Sequence, residues 1–165
     1  MRYTRLITTV FGAGLLRPAP GTWGSAAALP GAWALHQIGG FWALALGTAL
    51  VFLLGWWATV QETRGLADPD LSEIVIDEVA GMWLALWPVS LGAMMMGAPI
   101  TALWPGWVVA FLAFRGFDIW KPGPVGLADR MHTPLGVMLD DIIAGALAAM
   151  VVAMAAVVAH GMMGI

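Results

Sequence analysis

Two short stretches of the sequence place an acidic residue before small residues at the same spacing. Residues 77–81 (DEVAG) and 141–145 (DIIAG) share the pattern D-x-x-A-G, and an apolar stretch follows each. On a helix, the third and fourth residues after an acid lie beside it, so alanine and glycine leave space next to the carboxylate. A ligand could use that space. The alternative is that the small residues only let two membrane helices pack closely, and for the glycines alone this is the commoner use.

Each pattern also carries two adjacent carboxylates, Asp77 with Glu78 and Asp140 with Asp141. A helix N-terminus stabilises a nearby carboxylate, but this effect does not explain a pair at both places. Mg²⁺ prefers oxygen ligands and usually keeps waters and substrate phosphate oxygens in its shell. A metal held in this way polarises a phosphoryl group and activates water. We therefore interpret the two pairs as metal ligands or as the source of a general base.

Two cations flank a further acid in residues 114–124 (FRGFDIWKPGP). Arg115, Asp118 and Lys121 are spaced three residues apart, so they share one face of a helix that runs on to Trp120. Pro122 would end that helix. Arginine can bind a phosphate through two parallel hydrogen bonds, and lysine binds it as a point charge. The alternative is anchoring of a helix end at the membrane interface, which fits cations flanking an acid less well.

Glycines and hydroxyl groups stand together in residues 17–25 (RPAPGTWGS), at a predicted helix start. Backbone N–H groups at such a start can bind an anion, with Gly21 and Gly24 allowing close approach and Thr22 or Ser25 donating to a phosphate. The alternative is an ordinary N-cap and turn, which the segment by itself favours. It is not a P-loop, because no Gly-Lys-Ser/Thr follows.

The elements that must position these residues are strongly apolar. Of the 165 residues, 61% are hydrophobic and 10% are charged, and the mean hydropathy is +0.86, whereas soluble domains are about one quarter charged. All charged side chains fall in three segments, residues 1–17, 62–78 and 115–141, which we call the first, second and third charged segments. The ten carboxylates lie only in the second and third. The sequence therefore predicts an integral membrane protein whose polar chemistry is confined to the ends of apolar helices.

The apolar stretches between the charged segments predict the transmembrane helices, each about 20 residues long. One span is expected at residues 41–60, a helical hairpin at 79–96 and 100–117, and a last span at 142–159. Residues 22–38 contain Pro30-Gly31 and predict a kinked span, a re-entrant segment or an interfacial helix. The predicted fold class is all-α: a polytopic integral membrane helical bundle of four to five transmembrane helices, in a single domain over residues 1–165, with its charged catalytic segments on one face.

The distribution of Lys and Arg predicts the orientation, since short positively charged segments stay in the cytoplasm. If residues 22–38 cross the membrane, five spans result and all three charged segments face the cytoplasm. If they do not, four spans result and the three N-terminal arginines face outward. The first layout agrees better with the rule. The chain has no cysteine, which excludes cysteine nucleophiles, and no basic run of the kind that binds nucleic acid.

Four blocks of the sequence together resemble the phosphatidylglycerophosphatase A family. They are residues 21–25 (GTWGS), 76–83 (IDEVAGMW), 114–124 with Asp129-Arg130, and 140–145 (DDIIAG), and they extend in order over nearly the whole chain. The resemblance implies a Mg²⁺-dependent lipid phosphatase of the bacterial inner membrane, with its active site facing the cytoplasm. Its phospholipid substrate would be phosphatidylglycerophosphate, which loses its terminal phosphate to give phosphatidylglycerol.

Residue pattern and resemblance together assign three sets of site residues. The expected catalytic residues are Asp77, Asp118, Asp140 and Asp141; the expected metal ligands are Asp77, Glu78, Asp140 and Asp141; and the expected phosphate-binding residues are Gly21, Thr22, Gly24, Arg115 and Lys121. Attack by metal-activated water and attack by an aspartate are both compatible with these residues. Two rivals are a small ion-coupled transporter, which would need acids in mid-helix, and a non-catalytic assembly factor, which would tolerate neutralisation of the acids.

Overall fold

The computed structural model describes residues 3–67 and 69–163, and within those ranges the chain is helical and contains no β-strand. The helices are α1 (Tyr3–Thr8), α2 (Pro20–Glu62), α3 (Ile76–Ala85), α4 (Trp87–Met96), α5 (Trp104–Trp120), α6 (Pro124–Asp129) and α7 (Pro134–Met163), with short 3-10 turns at Ala13–Leu15 and Ile100–Leu103. A proline stands in the first turn of α2, α4, α5 and α6. Proline is favoured there because its missing N–H has no partner within the helix.

Helix α2 turns back on itself at Gly39-Gly40. Both glycines have non-helical backbone angles, and Gly40 has φ 61° and ψ −146°. A side chain added at Gly47 would lie 2.6 Å from Leu35 Cδ1, although residues twelve apart in a straight helix are separated by about 18 Å. Helix α2 therefore consists of a first arm, residues 20–38, and a second arm, residues 41–62, which pack against each other as a hairpin.

Helices α3 and α4 contact both arms of this hairpin. The Trp83 indole Nε1 donates to the Ala28 carbonyl of the first arm over 2.8 Å, and the Trp87 Nε1 donates to Thr48 Oγ1 of the second arm over 3.2 Å. The pair α3–α4 bends by about 40°. Pro88 accounts for this bend, because it has no N–H to continue the helical hydrogen bonds.

The architecture confirms an all-α bundle with helices suited to crossing a membrane. Three elements are long and apolar enough, namely α2, Ile100–Trp120 and Pro134–Ala159, and the bent pair α3–α4 makes a fourth. The two arms of α2 run in opposite directions. The five-span layout, in which each arm crosses the membrane separately, stays a prediction.

The structure places two helix boundaries differently from the sequence-based prediction. The hairpin break at residues 97–99 is where α4 ends, as predicted, but residues 79–96 form two helices that begin at Ile76. Helix α7 begins at Pro134, so Asp140 and Asp141 lie about two turns inside it. The favourable field of a helix N-terminus extends over the first turn only. It therefore acts on Asp77 and Glu78 and does not explain Asp140 and Asp141.

Single cysteines provide a test of the five-span layout, because the chain has no cysteine of its own. Ile38 lies at the α2 turn and is 80% exposed, and Leu66 follows the second arm and is 50% exposed. We expect a membrane-impermeant thiol reagent to label Ile38→Cys and Leu66→Cys from opposite sides of sealed vesicles. Labelling of both from the same side, or of Ile38→Cys from neither, would contradict the hairpin.

Candidate active site

The site is organised by a close crossing of α3 and α7 at the glycines of the two D-x-x-A-G patterns. A side chain added at Gly145 would collide with the Gly81 backbone, and one added at Gly81 would meet the Asp141 carbonyl and the Phe114 ring. Ala80 and Ala144 are fully buried. The small residues therefore do serve helix packing. This packing has a consequence for the acids, because it holds the carboxylates one turn earlier on each helix at the same end of the bundle.

The acids face a cavity of about 210 Å³ at the end of the bundle where the charged segments meet. Seven charged side chains from α3, α5, α7 and the residue that follows α5 line it: Asp77, Glu78, Arg115, Asp118, Lys121, Asp140 and Asp141. Pro20 and Gly21 at the start of α2 form another part of its wall. Desolvated charges are costly unless they are paired or bound to a ligand. Their concentration in one cavity is the strongest functional signal in the structure.

Arg115 joins two acids from different helices. Its Nη1 atom lies 2.6 Å from both carboxylate oxygens of Glu78 and 2.8 Å from Asp118 Oδ2. The Ser25 hydroxyl joins this ion-pair group as a hydrogen-bond donor. Its Oγ lies 2.8 Å from Glu78 Oε2 and 2.9 Å from the Gly21 carbonyl oxygen. These contacts tie the first arm of α2, α3 and α5 together around Glu78.

Lys121 forms the second ionic group at the end of α5. Its Nζ lies 2.6 Å from Asp140 Oδ2 and 2.7 Å from Asp129 Oδ1. Burial lowers the pKa of Lys121, but the hydrogen bonds to Asp129 and Asp140 outweigh it and raise the pKa above its ordinary value. The ammonium therefore stays charged throughout the physiological range. Lys121 adopts a left-handed backbone (φ 50°) at the end of α5, a conformation uncommon outside glycine, and the two ion pairs stabilise it there.

Three carboxylates lie close enough to share one metal ion. One oxygen each from Glu78, Asp118 and Asp141 falls within 4.8 Å of the other two. We call these residues the three-acid cluster. An all-oxygen donor set of this kind fits Mg²⁺, which uses carboxylates together with waters and substrate oxygens. Of the four predicted metal ligands, Glu78 and Asp141 belong to the cluster, whereas Asp77 and Asp140 line the same cavity outside it.

Not all predicted phosphate-binding residues reach the cavity. Gly21, Arg115 and Lys121 line it. Gly24 instead packs against Val75, where an added side chain would lie 2.6 Å from the Val75 Cβ, and Thr22 lies outside the lining residues. The reason is that α2 already begins at Pro20, so residues 21–25 lie within its first turns and their side chains point to different sides of the helix.

The sequence offered Thr22 or Ser25 as a hydroxyl donor, and the structure places Ser25 beside the site, buried and bonded to Glu78. Ser25 lies one turn after Gly21, so the two residues share a helix face. The connection between α2 and α3 also lines the cavity, through Asp70, Leu71 and Ser72. No pattern in the sequence indicated that these residues reach the site.

Helix α1 contacts the connection between α2 and α3, which forms this part of the cavity wall. The Val75 N–H donates to the Thr8 carbonyl over 2.8 Å, and Arg5 pairs with Glu73 over 2.7 Å. The first charged segment therefore lies at the same end of the bundle as the cavity.

Fold and site together define a class: an integral membrane protein of the all-α type, with an acid-rich cavity at one end of its helices. Residues 6–156 match the phosphatidylglycerophosphatase A family. The chain is 36% identical over 149 residues to phosphatidylglycerophosphatase A of Haemophilus influenzae, covering 89% of this chain and 85% of that one. It is 37% identical over 146 residues to phosphatidylglycerophosphatase A of Escherichia coli, covering 87% and 78%. The chain belongs to the phosphatidylglycerophosphatase A family.

A third relative carries a different name. A protein of Bacteroides thetaiotaomicron, provisionally named a phosphatidylinositol-3-phosphatase, is 34% identical over 155 residues, or 91% of each chain. No solved structure matches this chain.

The α3–α7 crossing predicts the effect of adding a single methyl group. Gly145→Ala should force the two backbones apart and destabilise the purified protein by about 1–3 kcal/mol. Gly92→Ala is the matched control, because its new methyl group meets only Leu103 Cδ1 at 3.8 Å, and alanine favours a helix over glycine by up to about 1 kcal/mol. Thermal or denaturant unfolding in detergent measures both variants. Equal stability of the two would contradict a close crossing.

Proposed function

We propose that this protein is a lipid phosphatase that hydrolyses phosphatidylglycerophosphate to phosphatidylglycerol and inorganic phosphate. One observation carries the proposal: the three-acid cluster and the cations Arg115 and Lys121 line the same cavity. Carboxylates alone would repel a phosphomonoester. With a divalent cation and two fixed cations beside them, they suit the transfer of a phosphoryl group. Membership of the phosphatidylglycerophosphatase A family supports the particular substrate.

The position of the cavity suits a lipid substrate. It lies where the apolar helices end, at α3, α5 and α7. A phosphomonoester on a lipid headgroup occupies the membrane interface, so its phosphate can enter the cavity while its acyl chains remain beside the apolar helices. We infer that this end faces the cytoplasm of the bacterial inner membrane, because Arg5, Arg17 and Arg64 belong to the charged segments at this end.

The residues divide into two roles in this proposal. Glu78, Asp118 and Asp141 would hold Mg²⁺, which when bound would neutralise phosphate charge and polarise the phosphoryl group. Arg115 and Lys121 orient the phosphate and balance its charge.

Asp77 is the carboxylate that we assign as proton acceptor. It lines the cavity outside the three-acid cluster, and within the described residues no cation forms an ion pair with it. It accepts a proton from the attacking water as the new phosphorus–oxygen bond forms and the bond to the glycerol oxygen breaks. The leaving glycerol oxygen takes a proton from solvent, and Asp77 returns the proton it accepted to solvent, so that the hydrolysis consumes one water and no net proton.

The direct test is phosphate release by the purified protein in mixed micelles. Phosphatidylglycerophosphate is compared with phosphatidic acid and with phosphatidylinositol 3-phosphate, the last because of the name of the Bacteroides relative. We expect release that is selective for phosphatidylglycerophosphate, lost with EDTA and restored by Mg²⁺. Selective release from phosphatidylinositol 3-phosphate would replace the proposed substrate, and no release from folded protein with any divalent metal would exclude the phosphatase.

Charge-neutral variants test the cavity acids. Asp77→Asn and Asp141→Asn should each lower kcat by about 100-fold or more, since each removes a fixed group that acts in the transition state. Glu73→Gln is the matched control, because Glu73 lies outside the cavity lining and pairs with Arg5. It should retain nearly full activity. Activity within about threefold of wild type in either aspartate variant would remove that residue from the proposed site.

A further inference from the structure

One guanidinium nitrogen of Arg115 contacts the same carboxylate oxygens that a metal ion would bind. Arg115 Nη1 contacts both oxygens of Glu78 at 2.6 Å and Asp118 Oδ2 at 2.8 Å. Glu78 and Asp118 are two of the three residues of the three-acid cluster. A guanidinium and a divalent cation both need the lone pairs of these carboxylates. Because both carry positive charge, they also repel each other at such short range.

The surroundings of Arg115 leave it a second position. Its Nε is buried and, among the residues that the structure describes, has no hydrogen-bond partner, although buried polar groups are generally paired. Gly21 packs against the Glu78–Arg115 pair, and a side chain added there would collide with Glu78 Oε1 and lie 3.2 Å from both Nη1 and Nη2. Arg115 also lines the cavity of about 210 Å³, which gives the guanidinium space to turn away from Glu78.

We propose that Arg115 exchanges between the three-acid cluster and the phosphate of the substrate. When a divalent cation occupies the cluster, the Arg115 guanidinium would leave Glu78 and Asp118 and would bind the phosphomonoester instead. This inference rests on the proposed function and deepens it, since it assigns an order in which the metal prepares the phosphate site. By linkage, the metal and the phosphate each increase the affinity for the other.

The first test measures Mn²⁺ affinity by electron paramagnetic resonance, without turnover. Arg115→Gln removes the competing cation and should bind Mn²⁺ about 10-fold more tightly than wild type. Arg5→Gln is the matched control: it removes one positive charge at the same end of the bundle, where Arg5 pairs with exposed Glu73, and should leave the affinity within about twofold. An unchanged or weaker affinity in folded Arg115→Gln, or an equal gain in Arg5→Gln, would overturn the exchange.

The same assay measures the coupling in the wild-type protein. Inorganic phosphate should tighten Mn²⁺ binding at least threefold in wild type, and clearly less in Arg115→Gln. The same tightening in both proteins would overturn the assigned role of Arg115.

A second test needs no variant, so it stands even if Arg115→Gln does not fold. Phenylglyoxal modifies accessible guanidinium groups, and mass spectrometry reports the extent at each arginine. Mg²⁺ should raise the modification rate of Arg115 severalfold and leave that of Arg5 unchanged. A rate at Arg115 that Mg²⁺ leaves unchanged or lowers would overturn the exchange. Both tests are independent of hydrolysis, so failure of the proposed function would show separately in the phosphate-release assay.

Discussion

The site depends on the direct backbone contact between Gly81 of α3 and Gly145 of α7. In a membrane, helices gain little from the hydrophobic effect when they associate, so close van der Waals contact between small residues is a main source of stability. Here the contact lies one turn from Asp77 and one turn from Asp141. Any side chain at the crossing would separate the helices and widen the three-acid cluster. The packing that stabilises the bundle therefore also fixes the distances between its carboxylates.

Charge balance in the cavity explains the remaining architecture. Six carboxylates line it with two cations, Arg115 and Lys121, and each cation contacts two acids on different parts of the chain. Arg115 connects α3 with α5, and Lys121 connects the end of α5 with α6 and α7. Breaking one such partly buried pair leaves an uncompensated charge, which is strongly destabilising. The excess of negative charge that remains is suited to a divalent cation, and Arg115 and Lys121 are suited to a phosphate.

Much of this arrangement could be predicted from the sequence, because the signals were local. Long apolar stretches predicted the membrane helices, and charges restricted to three segments predicted one polar face. Pairing across the bundle was not predictable: the sequence placed Asp118 with Arg115 and Lys121, whereas the structure also brings it to Glu78 and Asp141. The prediction that Thr22 and Gly24 bind the phosphate stays untested, but the helical turn in which they lie directs Ser25 to Glu78. Pro20 and Gly21 are residue types that occur both at helix starts and in loops. The sequence alone therefore does not distinguish the two structures here.

We propose that a divalent cation meets the substrate phosphate at the three-acid cluster. The most direct measurement is anomalous diffraction from crystals of the protein grown with Mn²⁺. We expect one strong anomalous peak within about 2.0–2.5 Å of oxygens from Glu78, Asp118 and Asp141. A peak bound only by acids outside the cluster, or no peak in crystals saturated with Mn²⁺, would contradict it.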